Sequence, residues 1–324
     1  MILWLIRRLF QALFVILAMT VIVFVGVHVI GNPVDILISP EADQNERARI
    51  IADLGLDQPL WRQYLTFLVD ALHGDLGRSF VFNEPALKLI AERMPATLEL
   101  AVTAVLLSII IGVPLGLYAG SRPNGLLGRT IMAGSILGFS LPTFWVGLML
   151  IMVFAVQLGW LPSTGRGATE EFLGVRWSFL TLDGLRHMLL PALNLSLFNI
   201  SLVLRLTRAG VRETLPMDYI KFARAKGLSP ARVMLVHVLK NIMIPVVTVV
   251  GLELGSTIAF AVVTESVFAW PGMGKLIIDS INVLDRPVIV AYLMMIVLLF
   301  VTINLVVDII YTMLDPRVRL DDKR

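Results

Sequence analysis

The sequence predicts an all-α polytopic membrane protein with six transmembrane helices. Hydrophobic residues make up 57% of the 324 residues and charged residues only 16%, and the mean hydropathy is +0.84. A soluble chain of this length could not cover its surface with so few charges. Apolar stretches of roughly 20 residues, enough for a helix to cross about 30 Å of hydrocarbon, recur along the chain, whereas the short alternating segments of a β-barrel do not.

Six windows have the length and the apolar character of a span. They are Leu9–Ile30, Thr97–Gly120, Thr130–Leu158, His187–Leu204, Asn241–Thr264 and Val288–Met313. The first follows Arg7 and Arg8, as in a signal peptide, but it is too long for the apolar core of such a peptide, and no small-residue cleavage motif follows it. We therefore expect it to remain as the first transmembrane helix. The chain contains no cysteine, which excludes disulfides and thiol chemistry.

The distribution of charge predicts the orientation of the chain. Six spans place both termini on one side, together with the eight Lys and Arg residues of the loop 205–240. The segment 31–95 lies on the opposite side and carries ten acidic against six basic residues. By the positive-inside rule the termini are cytoplasmic and this segment is extracytoplasmic. We divide the chain into a cytoplasmic start with the first helix (1–30), an extracytoplasmic helical insert (31–95), a five-helix core (96–314) and a cytoplasmic tail (315–324).

Within the insert, the stretch Leu60–Leu72 is predicted to form an amphipathic helix. Apolar residues recur at helical spacing, so the helix has a face to bury. These residues are Leu60, Tyr64, Phe67, Leu68 and Leu72. The sequence leaves open whether that face meets the membrane surface, a partner or the protein itself.

The basic loop 205–240 contains an ordered succession of helix signals. Pro216 is expected in the first turn of a short helix. Gly227 is expected to end that helix in the left-handed conformation. Ser229 and Pro230 then have the N-cap and first-turn pattern of a second helix. Four residues of the short helix are spaced to share one face, namely Tyr219, Phe222, Ala223 and Lys226. The pattern predicts docking onto a cytoplasmic partner; an ordinary basic loop is the alternative.

The segment Ala223-Arg224-Ala225-Lys226-Gly227, with Ile244-Pro245 downstream, resembles the EAA loop of the membrane-spanning subunits of ABC importers. Phe222 stands in place of the leading acid of that loop. The whole chain resembles the peptide branch of the family, the dipeptide, oligopeptide, nickel and glutathione permease subunits. The matching segments are Leu54-Gly55-Leu56-Asp57-Gln58-Pro59, His73-Gly74-Asp75-Leu76-Gly77, Ala96-Thr97-Leu98-Glu99-Leu100, Phe139-Ser140-Leu141-Pro142-Thr143-Phe144-Trp145, Thr264-Glu265-Ser266-Val267-Phe268-Ala269-Trp270-Pro271-Gly272-Met273-Gly274 and Asp315-Pro316-Arg317.

The resemblance implies a type I ABC importer permease fold in the bacterial inner membrane, among membrane lipids and without nucleic acid. It implies a second, homologous permease, two cytoplasmic ATPases that bind ATP and Mg, and an extracytoplasmic solute-binding protein. It assigns coupling to the ATPase to Tyr219, Phe222, Ala223, Arg224, Ala225, Lys226 and Gly227. Di- or oligopeptides are the expected cargo, and nickel chelates, glutathione, opines and oligosaccharides stay open. A stand-alone secondary transporter is the alternative class, and it predicts coupling carboxylates deep in several spans.

No arrangement of residues predicts catalysis, a metal site or a cofactor site in this chain. The four histidines are scattered without ligand spacing. The segment Gly272–Lys275 resembles a phosphate-binding loop only superficially, because Ala269 and Leu276 stand where the template needs a glycine and a hydroxyl residue. We expect a turn there and a non-enzymatic chain.

Acidic residues in the spans are the stronger functional candidates, because a charge in hydrocarbon is costly unless it faces a cavity or a partner. Glu253, near the middle of the fifth span, is predicted to line the pathway and to favour a cationic group. A contact with the partner permease and protonation within the bundle are the alternatives. Glu265, at the outer end of that span, is a candidate for the outer gate. Glu99, at the outer start of the second span, is expected to reach toward the aqueous interface.

Overall fold

Helices make up most of the structure, a computed structural model that describes residues 2–29, 51–52 and 57–314. In chain order the α-helices are α1 (Ile2–Val29), α2 (Leu60–Leu72), α3 (Ala86–Ser121), α4 (Leu126–Ser140), α5 (Thr143–Leu150), α6 (Leu182–Thr214), α7 (Asp218–Ala225), α8 (Pro230–Arg232), α9 (Leu239–Val267), α10 (Met273–Asn282) and α11 (Arg286–Leu314). π-helical segments follow α5 at Ile151–Gln157 and α8 at Val233–Val238. The predicted helical fold class is confirmed, while the tail 315–324 and most of 30–56 lie outside the described residues.

The described residues contain one antiparallel hairpin, which the sequence analysis did not anticipate. Strand β1 (Glu170–Phe172) pairs with β2 (Val175–Trp177), so that Glu170 faces Trp177 and Phe172 faces Val175. Leu173 and Gly174 connect the strands with φ values of 53° and 75°. Positive φ at both central residues is what a two-residue hairpin turn of type I′ requires.

Five helical segments are long and apolar enough to cross a membrane. They are Ile6–Gly26, Ala86–Ser121, Leu182–Thr214, Pro230–Val267 and Arg286–Ile309. The remaining predicted span, Thr130–Leu158, is not one continuous helix. It is a bent pair, Leu126–Ser140 and Thr143–Gln157, with an angle of 109° between its halves. The described part of the chain therefore contains five candidate spans, or six if the bent pair is one broken span.

The break in that pair has a local cause in the sequence. Pro142 follows Leu141, and the ring of a proline disfavours helical backbone in the residue before it. Leu141 is accordingly extended, with φ −79° and ψ 136°. Pro142 then precedes the first residue of α5, Thr143, with its own ψ at 129°. The sequence analysis placed this proline inside one predicted span, Thr130–Leu158.

The chain divides into two compact units. One consists of Met1–Pro95 with Gly272–Val301 and the other of Ala96–Pro271 with Thr302–Arg324. In the second unit, a buried cluster joins α3, α6 and α9 to the segment that follows α9. Its members are Ala96, Leu100, Ala104, Met188, Ala192, Leu195, Ala261 and Trp270. The fully buried Trp270 donates its indole N–H to the carbonyl oxygen of Ala96 at 2.9 Å, which satisfies the one polar group of the ring.

Three glycines spaced four residues apart let α3 approach α6 closely. A Cβ atom at Gly112, Gly116 or Gly120 would lie 2.9, 2.6 and 2.6 Å from side-chain atoms of Val203, Thr207 and Val211, respectively. Real Cβ contacts are longer than this, so each position requires glycine. Small residues at such spacing are the usual device for close helix contact in membranes, where dispersion forces replace the hydrophobic effect.

In the first unit, a fully buried aspartate ties the loop before α3 to the start of α11. Asp285 accepts hydrogen bonds from the Ser79 hydroxyl and from the Phe80 backbone N–H, the latter at 3.1 Å. Its own backbone carbonyl accepts from the Ile289 N–H at 3.2 Å, as the residue before a helix does. A buried carboxylate needs such donors.

Candidate functional site

The short helix α7 is held by a buried face. Ile220 is fully buried and Ala223 is 6% exposed. They belong to an apolar cluster that also contains Val211, Val233, Val238 and Ile242. Burial of one isoleucine side chain is worth about 1.5–3 kcal/mol, so α7 is fixed to the ends of α6 and α9. Ala223, predicted to share one face with Tyr219, Phe222 and Lys226, therefore lies on the buried face instead.

The end of α7 has the geometry that Gly227 predicts. Gly227 has φ +79°. Its N–H donates to the Arg224 carbonyl at 2.9 Å, and the Leu228 N–H donates to the Ala223 carbonyl at 3.3 Å. This pair of bonds is a Schellman motif, which satisfies carbonyls at a helix end. The left-handed corner predicted from the sequence is confirmed.

The flanking caps agree with the sequence at one end and differ at the other. Ser229 caps α8 as predicted, since its hydroxyl accepts from the Arg232 N–H at 3.4 Å and Pro230 is the first helical residue. Helix α7, however, begins at Asp218 after an extended Met217. Pro216 thus lies in the preceding turn and not in the first turn of the helix, as expected from the sequence.

The opposite face of α7 is an exposed aromatic and basic surface. Tyr219 is 43% and Phe222 61% exposed. The Lys226 ammonium lies 4.5 Å from the centre of the Phe222 ring, and Lys221 pairs with Asp218 at 2.8 Å. Arg224, Ala225, Lys226 and Gly227 are also exposed. We call Tyr219, Phe222, Arg224, Ala225, Lys226 and Gly227 the α7 surface.

Polar side chains connect α6 to α9 within the second unit. The Asn194 amide donates to the Thr264 hydroxyl at 3.1 Å, and the Asn199 amide donates to the Thr257 hydroxyl at 2.8 Å. Both asparagines are buried, and within the described residues their Oδ1 atoms have no hydrogen-bond partner. The Glu253 carboxylate accepts from the Ser256 hydroxyl at 2.7 Å. Glu253 is half-buried and lines a crevice with Ser108 and Asn199.

Glu265 is fully buried near the end of α9. Its Oε1 accepts from the Thr97 hydroxyl of α3 at 2.7 Å. Its backbone carbonyl accepts from the Trp270 N–H at 2.8 Å. The side chain therefore joins α3 to α9, and the backbone joins α9 to the turn that precedes α10.

Glu99 forms a buried ion pair, contrary to the expectation that it reaches toward the aqueous interface. Its side chain is 1% exposed, and its Oε1 lies 2.9 Å from Nε of Arg166, which is 14% exposed. Glu99 also accepts from the Ser178 hydroxyl and from the Ser178 N–H, the latter at 3.0 Å. Arg166 donates in addition to the Arg176 carbonyl at 2.7 Å. The carboxylate can be buried because three donors satisfy it, so that solvent is not needed.

Comparison with known proteins decides the family. The family described as "Binding-protein-dependent transport system inner membrane component" matches residues 112–320, and its N-terminal counterpart matches residues 1–101. The chain belongs to this permease family. The resemblance predicted from the EAA-like loop is thereby confirmed, as are a multi-pass inner-membrane protein and the permease type of subunit.

Several relatives of this permease cover nearly its whole length. It is 36% identical to the dipeptide transport system permease protein DppB of Escherichia coli K12, over 98% of both chains. It is 38% identical to the di/tripeptide permease DppB of Pseudomonas aeruginosa, over 93% of this chain and 94% of the relative. It is also 38% identical to the glutathione permease GsiC of E. coli K12, over 98% of both chains.

A solved structure supports the fold of the permease. The MetNI methionine ABC transporter, in an inward-facing conformation, superposes with a TM-score of 0.52. The match covers 70% of this chain and 96% of that chain at 18% identity, and it therefore speaks for the fold alone.

The structure also contains site-forming residues that sequence reasoning missed. Arg166 and Ser178 hold Glu99, and Asn194 and Asn199 cross from α6 to α9. Asn194 and Asn199 lie inside an apolar window, where a polar side chain is rare enough to be a signal. For Arg166 the sequence offers no comparable signal, because its partner lies 67 positions away.

Proposed function

We propose that this permease forms half of the translocation pathway of an ATP-driven importer for di- or oligopeptides. The support for this cargo is the similarity to dipeptide, di/tripeptide and glutathione permeases over at least 93% of the chain. A homologous second permease completes the pathway. A solute-binding protein delivers the cargo, and two partner ATPases bind and hydrolyse ATP with Mg. This chain itself supplies no catalytic group.

The α7 surface is the proposed contact with one ATPase. Its support is the combination of exposed Tyr219 and Phe222 with a rigid base, since the opposite face of α7 is buried. A partner that binds the exposed pair Tyr219 and Phe222 can move α7 as a rigid body. Because Ile220 and Ala223 join α7 to the ends of α6 and α9, that movement reaches both spans. This is a rigid-body switch and needs no local chemistry.

Glu253 is the proposed pathway residue. Within the described residues its carboxylate accepts a hydrogen bond only from the Ser256 hydroxyl of its own helix, and the residue is half-buried. A carboxylate with remaining acceptor capacity beside Ser108 and Asn199 suits a cationic group such as a peptide N-terminus.

Glu265 is the proposed gate residue, because its hydrogen bond to Thr97 joins two spans that must separate when the pathway opens.

The proposed orientation places both termini, and with them the α7 surface, in the cytoplasm. The support is the positive-inside rule applied to the loop 205–240, with eight basic residues against Glu213 and Asp218. The proposed extracytoplasmic side then includes α2 and the hairpin of β1 and β2.

Purification in mild detergent from the native membrane tests this proposal. The wild-type chain should retain a second permease and the ATPases. The double variant Tyr219→Ala, Phe222→Ala should retain the permease but lose most of the ATPase, whereas Phe172→Ala, a matched exposed aromatic on β1, should retain both. Full ATPase retention by the double variant would contradict the assignment of the α7 surface. Recovery of the wild-type chain alone would contradict the importer.

A further inference from the structure

Helix α2 has three distinct faces. One face contacts α1 through Tyr64 and Phe67. A second face is polar and exposed, with Arg62, Thr66 and Asp70. The third is an apolar stripe at spacing i, i+4, i+8 and i+11, which places its members on one side of the helix. These are Trp61, Leu65, Val69 and Leu72, which are 65%, 50%, 52% and 81% exposed.

Contacts between the two helices show that α2 runs antiparallel beside the C-terminal half of α1. The Tyr64 hydroxyl is 2.8 Å from the Thr20 hydroxyl. The Phe24 ring meets the Tyr64 ring edge-on at 5.3 Å and lies 6.0 Å from the Phe67 ring. Further along α2, Ala71 lines the same cavity as Ile16. Residue numbers therefore increase along α2 in the direction in which they decrease along α1.

This arrangement places α2 at the depth of the membrane. The apolar span of α1 is Ile6–Gly26, so Thr20 and Phe24 lie inside it and Ile16 lies at its middle. Ten residues separate Ile16 from Gly26, which is about 15 Å of helix, or roughly half of a hydrocarbon core. Helix α2 therefore lies beside the outer part of a span and not beyond its end.

A cavity of about 220 Å³ lies beneath the C-terminal end of α2. Its walls come from α1, the end of α2, the start of α3 and the first part of α11, and they carry apolar side chains. They include Ile16, Ala71, Leu76, Leu87, Met294 and Leu298. Met294 and Leu298 also lie within a membrane span, Arg286–Ile309. Methionine adapts its shape to flexible apolar ligands.

We propose that α2 lies within the leaflet that surrounds the C-terminal end of α1, and that the cavity beneath it binds one acyl chain of a phospholipid. The apolar stripe faces the acyl chains, and the polar face with Arg62, Thr66 and Asp70 faces water, because a charged side chain at this depth needs hydration. Trp61 begins the stripe at the end of α2 nearest Phe24, where an indole ring suits the interface.

A lipid is the occupant that the surroundings favour. Only 11% of the most apolar window of α1 is buried, so the surface of α1 is already suited to lipid. The apolar stripe of α2 continues that surface, because α2 lies directly against α1 at Thr20 and Phe24. The amphipathic pattern, with an apolar stripe beside a polar face, fits a helix that has lipid on one side and water on the other.

Spin-label accessibility tests the position of α2. The chain has no native cysteine, so Leu65→Cys and Thr66→Cys give adjacent labels on the apolar and polar faces. The labelled full chain, with the subunits that copurify with it, is reconstituted in phosphatidylethanolamine and phosphatidylglycerol vesicles. Oxygen should collide more often than a water-soluble nickel chelate at Leu65→Cys, with the inverse ratio at Thr66→Cys. Nickel access at both positions, or shielding of Leu65→Cys from both reagents by a subunit, would overturn the proposal.

Lipid retention tests the cavity separately. Ala71→Phe fills the cavity, whereas Thr66→Phe adds the same ring outside it. Native mass spectrometry after detergent exchange should detect one fewer bound phospholipid for Ala71→Phe than for the wild type or Thr66→Phe. Ala71→Leu makes the same comparison with a smaller addition if the larger side chain impairs folding. Equal retention in all these variants would show that the cavity holds no acyl chain.

Discussion

Replacement of Arg166 by methionine removes the charged partner of Glu99 while the length of the side chain is largely retained. The Glu99 side chain is 1% exposed and accepts the Arg166 guanidinium at 2.9 Å. Two donors from Ser178 remain, but among the residues that the structure describes no cation pairs with Glu99 once Arg166 is replaced. Removal of one member of a buried ion pair typically costs about 3–5 kcal/mol, because the other charge stays buried. We expect Arg166→Met to lose stability in this range.

Thermal unfolding in detergent, followed by size-exclusion chromatography, measures the effect. A loss of this size should lower Tm by an amount on the order of 10 °C. The double variant Arg166→Met, Glu99→Gln should recover most of the loss, since no buried charge remains. Arg176→Met removes an exposed guanidinium from the hairpin that follows Arg166 and should change stability by no more than about 0.5 kcal/mol.

The double variant decides between a buried charge pair and simple packing. If the single and double variants have the same Tm, the loss comes from the packing of Arg166 and the reasoning about the uncompensated Glu99 charge is refuted. If Arg166→Met has the Tm of the wild type, the pair contributes nothing to stability.

Three further changes test the α7 corner, the contact of α3 with α6 and the pathway. Gly227→Val should strain the left-handed corner by about 1–2 kcal/mol and reduce import, whereas Gly227→Asn, which tolerates positive φ, should import nearly as well as the wild type in an uptake assay. Gly116→Ala should lower Tm, because its Cβ would lie 2.7 Å from the Leu204 carbonyl oxygen. Gly134→Ala, which has open space around it, should instead raise helix stability by up to about 1 kcal/mol. Equal shifts in Tm for the two variants would contradict the close approach of α3 to α6. Glu253→Gln should weaken uptake of peptides with a free amino terminus more than uptake of N-acetylated ones, and identical uptake ratios would remove Glu253 from the pathway.

Local signals made the α7 corner predictable from the sequence. Gly227 and Ser229 fix a left-handed turn and an N-cap through interactions with residues at most five positions away. The prediction that Ala223 shares the exposed face of α7 was wrong. Helical spacing indicates which residues lie on one face, but it does not indicate which other parts of the chain cover that face. Here Val233 and Val238, which follow the corner, cover it.

Long-range pairing accounts for what the sequence did not reveal. Glu99 was expected to reach toward the aqueous interface, but it pairs with Arg166. Arg166 belongs to a loop without regular spacing, so no sequence pattern indicated this ion pair. The Asn194 to Thr264 and Asn199 to Thr257 bonds join residues 70 and 58 positions apart. The broken span at Pro142 was not predicted for a different reason. A proline indicates a bend in a helix, but it does not indicate the size of the angle between the two halves, which is 109° here.

Peptide uptake by the reconstituted complex is the most direct test of the central claim, that this permease works in an ATP-driven importer. Proteoliposomes contain the copurified subunits and ATP with Mg on the ATPase side, and the binding protein and a labelled dipeptide are added on the other side. The account predicts uptake that requires ATP, persists when an ionophore removes all ion gradients, and falls in the Tyr219→Ala, Phe222→Ala variant. Uptake driven by an ion gradient without ATP would contradict the account and identify a secondary transporter.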